Sequence, residues 1–550
     1  MAIPNVTPTD FISQPFDYLI IGGGTAGLVV AARLSENPSI RVGVLEAGPA
    51  TFDTLAINVP GRFGEGIGTH HDWKFETSEQ PGLGGVLILM VVWTRPYYKK
   101  SETFFEPMEV HKAEHKLYYD LDSYGHNGPL QIVYTKEHSP SHQHWHETLH
   151  NLGVDTNRSH MSGSNVGVWT NLAAEITLQQ DGEEWVAKGV RFECNGQELV
   201  ARASREVIVS AGSVLSPQLL ELSGIGNCSV LEAAGVAVKV NNPNVGENLQ
   251  EHMMTATIYE IDPSVPTLDD LRTDPALAAK ADLAYTNTLS GPRTMLPCSF
   301  CYLPLSHFVP QSTLSELASM AYSSATPSRR ETVRTDRLTQ AQRLGQIEYI
   351  FDVGNWSPFL PAEKGKKYGT MLQILQYPFS VGSVHIPGRQ SNGTNGGTNK
   401  VVAKGNMTPI IDPKYYAGAH GAVDFETKLL CLQFGHKIAS TQPLAQIIRK
   451  RVWPPEPSPS ASQQEQEDEL RTWLTNNTIT DWHPVGTCAM GGREGIRGGV
   501  VDDRLRVYGV KGLRVVDASV MPLQISAHLQ ATVYAIAEKA SAMILEDAGY

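Results

Sequence analysis

The chain has 550 residues, more than one hydrophobic core usually holds, and this length predicts several domains. Hydrophobic residues make up 41% of the chain, which excludes a disordered or collagen-like polypeptide. The formal net charge of −13 excludes the strongly basic surface that is typical of nucleic-acid-binding proteins.

The first predicted elements form a β-α-β unit near the start of the chain. Residues 18–21 are a short apolar run typical of a buried parallel strand, and residues 28–34 have the pattern of a helix. Residues 42–45 predict a second strand, and Glu46 follows it directly. The glycines between the first strand and the helix have the spacing G-x-G-x-x-G and are Gly22, Gly24 and Gly27.

This context is typical of a dinucleotide-binding site. Gly22 allows a tight turn, Gly24 lets a pyrophosphate approach the backbone, and Gly27 lets helix and strand pack closely. The positive end of the helix dipole then faces the phosphates. Glu46 can accept hydrogen bonds from the ribose hydroxyls, which disfavours a 2′-phosphate and therefore NADP. The glycine pattern by itself does not distinguish FAD from NAD.

Later segments predict further elements of an α/β protein. Residues 185–209 alternate apolar and polar side chains around Asn195-Gly196, a pattern that predicts a hairpin. Residues 388–406 have the composition of a flexible loop, and residues 454–469 begin Pro-rich and end as an acidic solvated stretch. Neither segment offers a catalytic candidate. A buried strand at 512–516 and an amphipathic helix at 531–547 close the chain.

The segment at 212–226, GSVLSPQLLELSGIG, resembles the second signature of the glucose–methanol–choline (GMC) flavin oxidoreductases across its full length. Further segments fit the same family in the expected order. They are NVGENLQEH at 244–252, PIIDP at 409–413, HPVGTCAMG at 483–491 and VDASVMP at 516–522. The resemblance spans about residues 15–545. It implies bound FAD and oxidation of an alcohol by hydride transfer to the flavin.

The resemblance also implies a pair of catalytic histidines. His483 matches the principal catalytic histidine of the family, and His528 matches the second catalytic position, where the family uses His or Asn. Alcohol oxidation requires a base near the hydroxyl while hydride leaves for the flavin, and histidine suits this role because its pKa lies near working pH. We expect surface or core roles for the remaining histidines.

Several other residues are predicted to bind FAD. Backbone N–H groups at the start of the last helix would stabilise negative charge on the reduced flavin. The resemblance implies contacts with the FAD chain at the end of the last strand. Together with Gly22, Gly24, Gly27 and Glu46, the predicted cofactor-binding residues are Thr25, Ala26, Ala47, Asp517, Ala518, Leu529 and Gln530.

Two segments depart from the family pattern. After Leu83 the family has Arg-Gly-Lys, then Leu-Gly-Gly-Ser-Ser and an Asn, but here the serines and the Asn are absent and Leu89 occupies the Asn position. Between Ile176 and Val186 the family has an additional strand, Arg-Pro-Asn-Leu, and a Val that holds the adenine ring. A mis-spliced gene model and a real chain with impaired FAD binding both explain these losses.

The remaining sequence features concern the cellular compartment. No Lys or Arg precedes Arg33, so the basic region of a signal peptide is missing. The longest apolar run, residues 86–93, is too short to span a bilayer. The six cysteines are scattered, with one C-x-x-C at Cys298 and Cys301, and fit ordinary thiols in a reduced compartment. We therefore expect a cytoplasmic protein without a metal, membrane or nucleic-acid partner.

Together these observations predict an α/β fold with a discontinuous, Rossmann-type FAD-binding domain. We place this domain at 14–105, 185–262 and 497–550, and a substrate-binding domain with an antiparallel sheet at 106–184 and 263–496. The leading function is FAD-dependent oxidation of the CH–OH group of a small-molecule alcohol, in intracellular or secondary metabolism. A non-redox lyase or cyclase on the same scaffold and a damaged gene model with impaired FAD binding remain as alternatives.

Overall fold

The computed structural model describes residues 7–48, 74–83, 89–90, 102–106, 130–133, 141–152, 174–194, 197–295, 300–321, 328–339, 344–388 and 408–550, with six single positions between 49 and 73. Within these ranges no helix is both long and apolar enough to cross a membrane. The apolar run at 86–93, apart from 89–90, lies outside the described residues, as do Cys298 and most of the predicted loop at 388–406.

The described strands are β1 Phe16–Ile21, β2 Val42–Leu45, β3 Phe75–Glu76, β4 Leu89–Met90, β5 Glu102–Phe105, β6 Leu130–Val133, β7 Ala174–Asp181, β8 Glu184–Cys194, β9 Gln197–Val209, β10 Ile225–Gly226, β11 Val240–Asn241, β12 Glu247–Leu249, β13 Met253–Ile261, β14 Phe300–Leu303, β15 Ile347–Val353, β16 Tyr368–Leu375, β17 Gly382–His385, β18 Ile410–Asp412, β19 Ile448–Trp453, β20 Ile479–Thr480, β21 Val510–Lys511 and β22 Leu513–Val515.

The described helices are α1 Pro8–Ile12, α2 Thr25–Ser35, α3 Ser141–Asn151, α4 Gly212–Leu222, α5 Cys228–Ala234, α6 Leu268–Thr273, α7 Pro275–Thr288, α8 Gln311–Ala321, α9 Arg329–Thr339, α10 Gly418–Ala439, α11 Gln463–Asn477 and α12 Gln530–Asp547.

The first sheet has a parallel centre built from both ends of the chain. Strand β1 pairs in parallel with β2 and with β9, and β22 pairs in parallel with the last residues of β9. Leu19 and Ile20 in β1 are fully buried, as expected for an apolar run covered on both faces. The predicted strands at 18–21, 42–45 and 512–516 are therefore confirmed.

Strand β9 belongs to two patterns of pairing. Its first half pairs antiparallel with β8, which confirms the hairpin predicted at 185–209, although the turn at 195–196 lies outside the described residues. Its second half lies beside β1 in the parallel centre. Strand β7 pairs antiparallel with β8, so that three antiparallel strands extend the parallel sheet at one edge.

Helices α2 and α12 pack together on this sheet, although about 500 residues separate them in the chain. Arg33 on α2 forms a bidentate ion pair with Glu538 on α12, with Nη2 2.7 Å from Oε1. The predicted closing helix at 531–547 is thus confirmed as α12. It packs against the helix of the N-terminal β-α-β unit and completes the first core.

The second sheet is antiparallel and has the strand order β14-β15-β16-β13-β19, with β20 beside β13. Residues of α3, α8 and α10 form a hydrophobic core against it. In β14 the side chains alternate, because Cys301 and Leu303 are buried in this core while Phe300 and Tyr302 are 40% and 37% exposed. The first and second sheets each have a separate hydrophobic core, as a division into two domains requires. The domain boundaries stated above stay a prediction.

The acidic stretch that ends the predicted solvated segment at 454–469 is exposed, as expected, but it is helical. Helix α11 begins at Gln463, where Ser462 and Glu465 form a capping box. Ser462 Oγ accepts the Glu465 amide and the Glu465 carboxylate accepts the Ser462 amide, so two amides at the helix end are satisfied. The acidic side chains then occupy the exposed first turns of the helix.

Candidate active site

The glycine-rich turn lies between β1 and α2 and has the tight geometry that its sequence predicts. Gly22 has a φ of +101°, and a Cβ there would lie 2.4 Å from the carbonyl oxygen of Ser210, which directly follows the neighbouring strand β9. A Cβ on Gly27 would lie 1.9 Å from the carbonyl oxygen of Gly22. Glycine is therefore required at both positions, at Gly22 for the turn and at Gly27 for close contact between helix and turn.

The N-terminus of α2 is directed by this turn. Gly24 is the N-cap residue, and the first intrahelical hydrogen bond joins the amide of Leu28 to the carbonyl of Gly24 over 3.0 Å. The amides of Thr25, Ala26 and Gly27 consequently have no partner within the helix. These donors and the helix dipole form a suitable place for a diphosphate.

Glu46 lies against the same turn. Its Oε2 accepts a hydrogen bond from the amide of Gly23 over 2.6 Å, and its Oε1 accepts one from Gly48. Burial raises the pKa of Glu46, while the amides of Gly48, Gly23 and Ala47 act in the opposite direction. A carboxylate has about four acceptor positions. Acceptor capacity therefore remains on Glu46 for a ribose hydroxyl.

Asp517 follows β22 and holds the neighbouring elements together. Its Oδ1 accepts hydrogen bonds from the amide and hydroxyl of Ser519, and its Oδ2 accepts them from the amide of Gly212 and the hydroxyl of Ser216. These four bonds fill the acceptor positions of the carboxylate. The Asp517 side chain thus fixes the start of α4, and the residue can reach a cofactor through its backbone and through Ala518.

The N-terminus of α12 meets the N-terminus of α2. Leu529 is the N-cap of α12, and the Gln530 side-chain amide donates a hydrogen bond to Thr25 Oγ1 over 3.3 Å. The structure therefore brings together predicted cofactor residues from opposite ends of the chain. Two positive helix ends converge on one region.

The structure also brings the predicted histidine pair together. The ring centroids of His483 and His528 lie 5.0 Å apart, with an angle of 40° between the ring planes. The two residues are 45 positions apart in the chain. The β20 segment carries His483 into the site, and the turn before α12 carries His528.

His528 is paired with a buried carboxylate. Its Nε2 lies 3.1 Å from Oε1 of Glu348, which is on β15 and fully buried. Burial alone would lower the pKa of His528, but Glu348 raises it to about 9. Gln376 donates a hydrogen bond to the other carboxylate oxygen over 3.0 Å. His528 is consequently a cation at neutral pH.

His483 is in the opposite protonation state. Burial and the adjacent positive charge of His528 hold its pKa well below the usual range, although Glu348 partly offsets them. The backbone of His483 is fixed by two hydrogen bonds, one from its amide to Glu251 Oε1 at 2.7 Å and one from Gln524 Nε2 to its carbonyl at 2.8 Å. A neutral imidazole therefore lies beside an imidazolium.

Two further residues contact the Nδ1 atom of His483. Nδ1 of His252 lies 3.0 Å from it, and Oδ2 of Asp481 lies 2.9 Å from it. His252 was expected to have a surface or core role, and Asp481 was not among the predicted site residues. His252 nevertheless ends the 244–252 segment that resembles the family, and Asp481 lies two residues before the 483–491 segment, so both positions had a sequence signal nearby. Glu348 had no such signal, because its strand contains no recognisable motif.

Aromatic side chains border the histidine pair. The Phe300 ring makes an edge-to-face contact with His528, with 5.5 Å between centroids. Although Tyr302 is 37% exposed as a whole residue, desolvation of its hydroxyl and the nearby Glu348 carboxylate raise the pKa of Tyr302 well above its usual range. Both aromatic residues come from the face of β14 that points away from the second core.

The two departures from the family pattern lie in different parts of the fold. Leu89 and Met90 form β4, which pairs antiparallel with β3, while the rest of 84–101 lies outside the described residues. In the second departure, β7 and β8 are joined directly by a tight turn in which Gly182 has a φ of +63°. The chain therefore has a short turn at the position where the sequence resemblance implies additional residues.

Comparison with known proteins places these features in a family. Residues 158–254 and 398–537 match the N-terminal and C-terminal family models described as GMC oxidoreductase. Dehydrogenase mpl7 of Monascus purpureus is 32% identical, with 98% of each chain aligned. Pyranose dehydrogenase 3 of Leucoagaricus meleagris is 27% identical over 98% of this chain and 94% of its own length.

A solved structure has the same fold. The FAD-dependent oxidoreductase from Chaetomium thermophilum superimposes with a TM-score of 0.78 at 21% identity, covering 97% of this chain and 99% of its own. This likeness confirms the predicted α/β fold with a Rossmann-type domain and an antiparallel sheet.

The alignment with the Monascus purpureus dehydrogenase also bears on the departures. It extends over 642 positions, which exceeds the 550 residues of this chain by 92. At least that many aligned positions consequently hold a residue in the relative and none in this chain. The chain is shortened internally relative to this protein, in agreement with the losses noted from its sequence.

Proposed function

Because the chain belongs to the GMC oxidoreductase family, with FAD as cofactor, we propose that it oxidises the CH–OH group of a small-molecule alcohol by hydride transfer to the flavin. One observation carries the proposal. The neutral His483 and the cationic His528 lie side by side, with ring centroids 5.0 Å apart. One ring can accept a proton while the other donates a hydrogen bond, and an alcohol oxygen between them needs both.

The residues around the two helix N-termini fit FAD. The turn at Gly22 and Gly24 and the amides of Thr25, Ala26 and Gly27 would hold the diphosphate, where a Cβ at Gly22 or Gly27 would clash with backbone. Glu46 and Ala47 would hold the adenosine ribose, and Asp517, Ala518, Leu529 and Gln530 would hold the flavin end. FAD, when bound, supplies the hydride acceptor.

His483 is the acid/base of the proposed reaction. It is neutral, so it can take the proton of the alcohol hydroxyl as hydride leaves the adjacent carbon. His528 keeps its proton because Glu348 lies 3.1 Å away, and it donates a hydrogen bond to the same oxygen. The negative charge that develops on the oxygen is therefore stabilised before His483 completes the proton transfer.

An anaerobic reduction assay tests this function. Purified holoenzyme is mixed with a panel of primary and secondary alcohols, and the flavin absorbance is followed by stopped flow. We expect at least one alcohol to bleach the flavin, and the His483→Ala variant to retain FAD and lose most of this reduction. A wild-type flavin that no alcohol reduces, in an enzyme that still converts a substrate, would establish the non-redox lyase or cyclase alternative instead.

The missing segments require a separate experiment. The transcript is sequenced across the codons for residues 83–100 and 174–188. A message that encodes additional residues there supports the mis-spliced gene model, and we then expect the restored chain to hold FAD more tightly than the present one. A message that encodes the chain as given leaves reduced FAD affinity as a property of the protein. The cytoplasmic location and a role in secondary metabolism stay predictions.

A further inference from the structure

His252 is a buried histidine whose two ring nitrogens both have partners. The residue is fully buried, with Nε2 2.9 Å from the carbonyl oxygen of Ile525 and Nδ1 3.0 Å from Nδ1 of His483. A carbonyl oxygen can only accept a hydrogen bond. The proton of the Ile525 contact must therefore be on Nε2 of His252.

The position of this proton determines the direction of the next hydrogen bond. Burial and the neighbouring His483 lower the pKa of His252 to about 3, so the ring is neutral and carries one proton. With that proton on Nε2, Nδ1 of His252 has a lone pair and can only accept. Because two lone pairs would repel each other at 3.0 Å, the proton between the rings belongs to Nδ1 of His483.

We propose that His252 is a positioning residue that fixes the tautomer of His483, so that Nε2 of His483 is the nitrogen that accepts the proton of the alcohol. Two hydrogen bonds then follow one another. Nδ1–H of His483 donates to Nδ1 of His252, and Nε2–H of His252 donates to the carbonyl of Ile525. The chemical role of Nε2 rests on the proposed function. The tautomer itself follows from the contacts of a neutral His252 and does not depend on the proposed reaction.

Asp481 supports the same tautomer. Its Oδ2 lies 2.9 Å from Nδ1 of His483 and 3.9 Å from Nδ1 of His252, but it makes no hydrogen bond. Burial raises the pKa of Asp481 to about 6, so above that pH it is an anion. An anion beside Nδ1 of His483 repels a lone pair on that nitrogen and attracts a proton there.

The surrounding chain holds these groups in register. Gln524 binds the His483 carbonyl through Nε2 and accepts the Ile525 amide through Oε1 at 3.0 Å. The Ile525 carbonyl that orients His252 and the backbone of His483 are thus tied to one side chain. The two histidine rings must be held in a fixed orientation if one tautomer of His483 is to be favoured. A ring that rotated would place its other nitrogen in the hydrogen bond.

Nitrogen NMR tests the tautomer directly. The holoenzyme is labelled with ¹⁵N-histidine, and the His483 signals are assigned by their loss in His483→Gln. We expect a ring proton with one-bond coupling to Nδ1 of His483 and a second coupling, across the hydrogen bond, to Nδ1 of His252. A proton attached to Nδ1 of His252 would overturn the inference, whether or not any alcohol reduces the flavin.

A pair of variants separates tautomer control from packing. In His252→Gln, the side-chain amide can donate to the Ile525 carbonyl while its oxygen accepts from His483, so both hydrogen bonds are retained. In His252→Leu both are lost. We expect flavin reduction to fall by about 10²-fold or more in the leucine variant, since loss of the correct histidine tautomer costs up to about 10⁴ in a related catalytic arrangement.

The glutamine variant is expected to keep most of the wild-type rate and the same His483 tautomer. Bound FAD and melting temperature are measured for both variants, so that a folding defect is recognised. Equal loss of rate in the glutamine and leucine variants, with FAD retained in both, would show that His252 acts through packing and would contradict the proposal.

Discussion

The glycine-rich turn relies mainly on backbone groups, whereas the histidine cluster relies on side chains. The cluster consists of His252, Glu348, Asp481, His483 and His528. The turn uses backbone: glycine conformations, helix amides and one carboxylate that accepts backbone N–H groups, all within about thirty consecutive residues. The cluster uses side chains from four distant segments, and their charges are set by burial and by one another. We infer that changes in the turn alter FAD binding, whereas changes in the cluster alter proton transfer.

The histidine cluster should produce the largest effect when it is altered. We expect His483→Ala to slow flavin reduction by about 10²–10⁴-fold, because a positioned acid/base is removed while the cofactor contacts remain. His528→Asn should lose less, since an amide still donates a hydrogen bond to the alcohol oxygen. Anaerobic stopped-flow reduction measures both variants. A wild-type rate in His483→Ala would refute the assigned mechanism.

Changes in the glycine-rich turn should instead lower the affinity for FAD. We expect Glu46→Arg to weaken FAD binding by about 10–100-fold, because each hydrogen bond lost to a charged acceptor is worth about 1.5–3 kcal/mol. Titration of apoprotein with FAD gives the dissociation constant. Glu469→Arg makes the same charge change at an exposed position on α11 and serves as the control. Equal affinities in the two variants would remove Glu46 from the cofactor site.

The pH dependence of flavin reduction tests whether His528 must be protonated. Glu348 raises the pKa of His528 to about 9, and we expect flavin reduction to decline as the pH rises through that value. In Glu348→Gln the His528 pKa falls, so the alkaline limb of the profile should move to lower pH. An unmoved limb in a folded, FAD-containing variant would show that His528 does not control it.

The same shift has a consequence for stability. Because the folded-state pKa of His528 lies above the usual value of 6.5, its protonation stabilises the folded chain fully below about pH 6.5. This contribution is lost as the pH rises through about 9. Thermal unfolding of wild type and Glu348→Gln is measured between pH 6 and pH 10. The difference between their melting temperatures should therefore become smaller as the pH rises through about 9.

The smallest effect is expected at the ion pair that joins the helices behind the turn. Arg33 and Glu538 are partly exposed, and we expect Arg33→Met to lower the free energy of unfolding by about 1 kcal/mol. FAD affinity should not change, because the turn binds through backbone that this pair does not touch. Denaturant unfolding and FAD titration measure the two quantities, and a loss of affinity would show that the helix pair positions the turn.

Much of this molecule could be predicted from its sequence because some of its signals are local. A strand, a glycine spacing and a following acidic residue define the turn within one short segment, and their geometry follows from backbone sterics. Motifs around His483 and His528 identified the pair by resemblance. The physical proximity of the two rings still depended on the fold, since β20 and the turn before α12 had to meet.

Other features were decided by tertiary structure alone. Glu348 lies on an unremarkable strand, and only its burial beside His528 sets the charge of that histidine. The direction of the hydrogen bond between His252 and His483 depends on a carbonyl at Ile525, which no side-chain pattern reveals. Likewise the Asp517 carboxylate is saturated by α4 and its own turn. Charge states and hydrogen-bond directions in a core depend on residues that are distant in sequence and meet only in the folded chain. They therefore could not be predicted from local sequence patterns.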